Sequence, residues 1–122
     1  MIKAEIVIDF PKWRTKIKSP SLYFKKKIRK ISTIKSFKKK NFQFTLLLTN
    51  KTFIKKLNKK FRKKNKETDV LSFPLKSHFN KNYKGDIAIC YEIINLRSKK
   101  TNFYIEFDKM WIHGLLHLLG YN

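Results

Sequence analysis

Tyr104-Ile105-Glu106-Phe107-Asp108-Lys109-Met110-Trp111-Ile112-His113-Gly114-Leu115-Leu116-His117-Leu118-Leu119 reads as a helix that is apolar almost all round. Phe107, Met110, Trp111, Ile112, Leu115, Leu116, Leu118 and Leu119 leave it little polar face, so it must be buried against other elements. Candidates for those elements lie upstream. Ile2, Ala4, Ile6, Ile8 and Phe10 alternate with Lys3, Glu5, Val7 and Asp9 as a half-buried strand. Pro11 ends it, and a basic loop runs to Lys18. Ser19-Pro20 looks like a helix start, with Phe24, Ile28, Ile31 and Ile34 at helical spacing. Phe42 to Thr49 is an apolar strand.

Asn50 or Thr52 then caps a helix with the stripe Phe53, Ile54, Leu57 and Phe61. Thr68-Asp69-Val70-Leu71-Ser72-Phe73-Pro74 is a short strand closed by proline. Residues 76–84 form a polar loop in which His78 is expected to be exposed. Gly85-Asp86-Ile87-Ala88-Ile89-Cys90 is a fourth strand, and helices follow near 91–100 and 104–119. Four strands mixed with helices predict an α+β fold: a mixed four-stranded sheet with helices packed on it, and the histidine-bearing helix at the C-terminus. At 122 residues the chain is expected to be a single domain over 1–122.

The formal net charge is +22, from 30 basic and 8 acidic residues. Such an excess favours a polyanionic partner through phosphate attraction and counterion release. Codon bias competes as an explanation, because 60 of the 122 residues are Lys, Asn, Ile or Phe, all with AT-rich codons. The same bias makes the scarce Gly and Arg residues informative. A single cysteine, Cys90, excludes a disulfide framework and suits a reducing cytoplasm. No apolar run approaches the roughly 20 residues of a membrane span, and the alternating N-terminus is not a signal peptide.

His113 and His117 stand four apart, so a helix sets their Cβ atoms about 5–6 Å from each other on one face. Two imidazoles there can converge on one ion at distances of about 2.0–2.1 Å. The other reading is a pair of core histidines, and both rings would then need separate partners. A His-Glu-x-x-His protease would place its general base at 114, where Gly114 stands, so that chemistry is excluded. Arg62, one of four arginines, lies at i+4 from Asn58 and beside the apolar stripe. It is either a solvated capping residue or a planar fork for phosphate oxygens and developing negative charge. Asp86 is either a turn residue or an acceptor behind a ligating histidine. The runs Lys25-Lys26-Lys27 and Lys38-Lys39-Lys40 read as solvated faces with phosphate contact as a secondary role.

Taken in order, Leu57-Asn58-x-x-Phe61-Arg62, Thr68 to Pro74, Gly85-Asp86-Ile87 and His113-Gly114-x-x-His117-Leu118-Leu119-Gly120-Tyr121 closely resemble the YbeY family of bacterial endoribonucleases. The resemblance covers roughly residues 55–122. It implies a single-strand-selective, metal-dependent endoribonuclease acting in ribosomal RNA maturation and ribosome quality control. Its partners would be ribosomal RNA or ribosomal particles in the cytoplasm, with no membrane and no small-molecule cofactor. It also implies one zinc ion held in the pattern His-x3-His-x5-His, with His113 and His117 as the first two ligands.

The third ligand would be residue 123, one past the last residue of the sequence, and Asn122 stands where the family usually has Asp. The native chain is therefore expected to continue past Asn122, with a terminal carboxylate as the alternative donor. Arg62 matches an arginine that the family keeps near the metal, which implies a catalytic role. Arg62, Lys59, Lys63 and Lys64 are expected to contact RNA. A different class of function stays open: a basic RNA- or ribosome-binding module that does not turn over, because two histidines alone hold zinc weakly.

Overall fold

The computed structural model describes residues 2–35, 37–38, 40–75 and 82–120. His78, Lys39 and Asn122 therefore lie outside the described residues, as does most of the expected loop 76–84. The element order is β1 (Ile2–Ile8), α1 (Trp13–Lys16), α2 (Pro20–Ile31), β2 (Asn41–Thr49), α3 (Lys51–Arg62), β3 (Val70–Pro74), β4 (Asn82–Cys90), α4 (Tyr91–Arg97) and α5 (Phe103–Leu118). The sheet order is β1-β2-β4-β3. β2 pairs in parallel with β1 and β4, whereas the edge strand β3 runs antiparallel to β4. The predicted α+β fold with a mixed four-stranded sheet is what the structure shows.

Period-two alternation assigns the two faces of the sheet. Phe42, Phe44, Leu46 and Leu48 of β2 and Ile87 and Ile89 of β4 join Phe24 of α2 and Phe107, Trp111, Leu115 and Leu118 of α5 in one core. Ile54 of α3 packs on the other face against Leu71, Ala88 and Cys90. Burial raises the Cys90 thiol above its ordinary pKa, so it stays protonated in the core. The buried helix expected at 104–119 is α5, and it is amphipathic after all. Tyr104, Ile105 and His113 are exposed, because the sheet covers only one side of the helix.

Two local features went differently from the sequence reading. Residues 13–16, read as loop, form α1, whose Trp13 is wholly buried. Its indole N–H donates to the Thr49 carbonyl at 2.9 Å, and its ring meets Tyr91, Phe103 and Phe107 edge-on. One anchored aromatic outweighs the polar residues around it. The α3 stripe is also only partly buried: Ile54 is inside, while Phe61 is 55% exposed. α3 covers the β3–β4 half of its face, and Phe53, Leu57, Phe61, Val7, Leu47 and Phe73 flank an open apolar groove of about 530 Å³.

Capping is locally consistent. The side chains of Asn50 and Asn102 accept from the Phe53 and Ile105 amides, each at 2.9 Å, at the starts of α3 and α5. Pro20 sits in the first turn of α2 as expected. Asp108 of α5 ties the two helices of the large core together. It accepts from Tyr23 and Trp111 at 2.9 Å and lies 3.3 Å from the Lys27 ammonium. Burial and the Asp108 carboxylate together push the Tyr23 phenol up, so it remains a donor throughout the physiological range.

At the start of α5, Thr101 donates to Glu106 at 2.6 Å, and Lys109 lies 3.5 Å from the same carboxylate oxygen. The Thr101 bond lowers the Glu106 pKa from its ordinary 4.5, burial opposes it, and Lys109 adds to the lowering. A carboxylate with a depressed folded-state pKa contributes stability above the unfolded value, and that stability is lost as pH falls through the folded value. Thr101→Val should therefore flatten the decline in melting temperature below about pH 4.5 and destabilise the protein slightly at neutral pH. Thermal melts of both proteins across that range check this, and identical acid limbs would remove the assignment.

Candidate metal and RNA site

The site forms at the edge strand β3, where α3 arrives from one face of the sheet and α5 from the other. Gly114 allows α5 to approach. A Cβ at that position would stand 2.7 Å from Ile87 Cγ2 and 3.2 Å from Ser72 Oγ. The helix therefore lies close enough for the buried Ser72 hydroxyl to donate to the Gly114 carbonyl at 2.9 Å. The position that excludes a protease base is thus occupied by glycine for a packing reason. It seats the histidine helix directly on β3 and β4.

His113 and His117 project from α5 beside this contact. Their Nε2 atoms are 2.9 Å apart, and the rings meet edge-on at a centroid distance of 4.5 Å. His113 is exposed and His117 half-buried. The pKa of His117 is lowered, first by burial, then by His113, then by Arg62. The Arg62 charge therefore acts on His117 although the arginine comes from the opposite face of the sheet.

Arg62 ends α3. Its Nη2 donates to the Ser72 carbonyl at 2.7 Å, and its guanidinium lies 5.9 Å from the centre of the Phe73 ring. One donor is thus fixed to the backbone and the plane is backed by an aromatic face, while the side chain stays exposed. Ser72 joins the two halves of the site: its carbonyl holds Arg62 and its hydroxyl holds α5. In the sequence Ser72 is only one residue of the strand 68–74. The available signal was a small hydroxyl at a buried position in an apolar strand.

Asn58 supports the end of α3. It is 3% exposed, and its amide donates to the Lys66 carbonyl at 2.9 Å. Its own carbonyl accepts from the Lys63 and Lys64 amides, with Lys63 in the left-handed region at φ 59°. Lys59, Lys63 and Lys64 are all exposed around Arg62. Asn58→Ala leaves the Lys66 carbonyl without its partner and should destabilise by about 1–3 kcal/mol. Denaturant unfolding checks this, and a change within about 0.3 kcal/mol would show that the 63–69 segment holds itself in place.

Asp86 is neither a turn residue nor a partner to the histidines. It lies in the middle of β4, opposite Thr45 and Phe73 in the register. Its neighbours Gly85 and Ile87 meet α5, so by alternation Asp86 points to the other face, into the groove beside α3.

The fold and this edge site define a class: an α+β protein with a histidine pair and an anchored arginine on a basic surface. The family model described as Endoribonuclease YbeY matches residues 8–122, and the chain belongs to that family. The endoribonuclease YbeY of Pelagibacter ubique is 43% identical over 129 residues, covering 100% of this chain and 83% of that protein. The Buchnera aphidicola (subsp. Acyrthosiphon pisum) endoribonuclease YbeY is 46% identical over 106 residues, covering 83% of this chain and 66% of that one. The solution structure of TM1509 from Thermotoga maritima superposes with a TM-score of 0.61 at 27% identity, covering 100% of this chain and 74% of that chain.

Proposed function

We propose that this protein is a single-strand-selective, metal-dependent endoribonuclease acting in ribosomal RNA maturation and ribosome quality control in the cytoplasm. One observation carries the reading: the two Nε2 atoms of His113 and His117 converge at 2.9 Å, and Arg62 acts on the His117 imidazole from the end of α3. Two ligands of a tetrahedral zinc sit roughly 3.3 Å apart at ordinary Zn–N lengths, so a small opening of the pair fits one ion. The lowered pKa of His117 also keeps that imidazole neutral, the form that ligates.

His113 and His117 would hold a zinc ion. Among the described residues no third His, Cys, Asp or Glu gathers with them, so a complete shell draws its further donor from outside those residues. When bound, such an ion acidifies water and polarises a phosphoryl oxygen. The chain's own groups do the rest. Arg62, with one N–H committed to Ser72, offers its remaining donors to the non-bridging phosphoryl oxygens, where charge grows during cleavage. Lys59, Lys63 and Lys64 hold the flanking backbone by charge. The Phe73 ring, 5.9 Å from the guanidinium, gives the cation an aromatic neighbour.

The test is cleavage of a fluorescent single-stranded RNA by purified protein with added zinc, with a chelator, and with His117→Ala. Zinc-dependent cleavage that the chelator and the substitution both remove is expected. RNA binding without cleavage under every metal condition would overturn the enzyme reading. It would leave the second one, a basic RNA- or ribosome-binding module, which the excess of 30 basic over 8 acidic residues favours. No helix among the described residues is long and apolar enough to cross a membrane.

A further inference from the structure

The flank of α3 opposite its phenylalanines carries Lys51, Lys55 and Lys59 at successive i, i+4 positions, with Lys56 beside them. These four lysines, with Asn65 and Glu67, line a cleft of about 510 Å³ between the helix and the segment that follows it. α3 contains no acidic residue, and none of its lysines forms an ion pair among the described residues. Two carboxylates lie nearby. Glu67 lines the cleft, and Glu92 accepts from the backbone N–H of Lys51 at 2.9 Å rather than from a lysine side chain.

Like charges at i, i+4 repel, so Lys51, Lys55 and Lys59 weaken the free helix. Lys51 also puts positive charge at the N-terminal end of α3, where the helix dipole disfavours it. An arrangement unfavourable in the free protein becomes favourable when an anion lies along it. The rungs repeat every four residues, about 6 Å along the axis, a step that successive phosphates of one strand can follow. Lys59 stands less than one turn before Arg62, so the row leads to the arginine.

We propose that this cleft is a phosphate track, which carries one RNA strand along α3 and delivers it to Arg62. The proposal rests on the reading of the protein as an RNA-cleaving enzyme and extends it to Lys51, Lys55 and Lys56. The strand's phosphates lie over the lysine row. A single row of charges on one helix meets a single backbone.

The experiment is fluorescence anisotropy of a short labelled single-stranded RNA, in chelator, over a series of KCl concentrations. It compares the wild type, K51Q/K55Q/K56Q, and K25Q/K26Q/K30Q, which removes the same charge from exposed positions on α2. Each single-strand phosphate contact contributes about 0.7 to the slope of log Kd against log salt, so the cleft variant should lose about 2 units of slope. The α2 variant should keep the wild-type slope. Equal losses in both variants would mean that net charge alone matters and would overturn the track, as would no loss in either.

Without RNA, the cleft variant should melt at or above the wild-type temperature, because repulsion has been relieved. Should it fail to fold, K55Q alone is expected to lose about 0.7 of slope, and an unchanged slope there overturns the proposal. Cleavage by the wild type is measured separately. Cleavage with an unchanged slope sinks the track alone, whereas the expected slope loss without cleavage sinks the enzyme reading and keeps a track for RNA.

Discussion

Gly85→Ala is expected to lower stability by about 3 kcal/mol, the upper end of what overpacking a core costs. For a domain of this size that corresponds to a fall in melting temperature on the order of 10 °C. A Cβ at residue 85 would stand 2.6 Å from the Phe73 carbonyl oxygen, 2.7 Å from Leu118 Cδ2 and 3.1 Å from the Pro74 Cα. Two of these three atoms are backbone atoms of the neighbouring strand, which cannot move aside without breaking the β3–β4 register. The third is the end of the Leu118 side chain on α5, so relief on that side must turn a fully buried leucine or shift the histidine helix. The substitution should therefore cost stability whichever side gives way. A melting temperature within about 2 °C of wild type, measured by circular dichroism, would show that the β3–β4 ribbon is more pliable than its packing indicates.

Arg62→Lys is expected to lower kcat by about 10²–10³, or roughly 3–4 kcal/mol of transition-state stabilisation, with little change in KM. Lysine keeps the charge, so long-range attraction of RNA survives. It loses the planar fork that bonds the Ser72 carbonyl while still presenting donors outward. Single-turnover cleavage of a short RNA by wild type and variant measures the effect, with melts to confirm that both are folded. Cleavage within threefold of wild type would reduce Arg62 to a strap between α3 and β3.

Much of this architecture was legible in the chain. The alternation from Ile2 to Phe10, the apolar run to Thr49 and the caps at Ser19-Pro20 and Asn50 each mark an element that forms. These signals are local, and local rules predict local structure well. The histidine pair was legible for the same reason, since four residues on a helix fix a distance. The features missed depend on contacts distant in sequence. Trp13 is ordered by Thr49, Tyr91, Phe103 and Phe107, none of which is a near neighbour in the chain. Ser72 becomes informative only when Gly114, 42 residues later, comes to lie against it. Asp86 changed meaning because the start of β4, at Asn82, precedes the Gly85 that looked like its boundary. The exposed side of α3 follows from where the helix crosses the sheet, which periodicity alone does not encode.

The seating of Trp13 has a consequence for the order of events during synthesis. Its indole is enclosed by two rings from α5, the last described helix, as well as by residues from β2 and α4. A nascent chain that has made β1 and α1 therefore carries an indole with no finished enclosure until more than 90 further residues have emerged. The same docking step brings Gly114 against Ser72 and sets His117 within the field of Arg62. Emission from Trp13, separated from that of Trp111 by a Trp111→Phe background, would thus act as a clock for the moment at which the β3 edge site comes into existence.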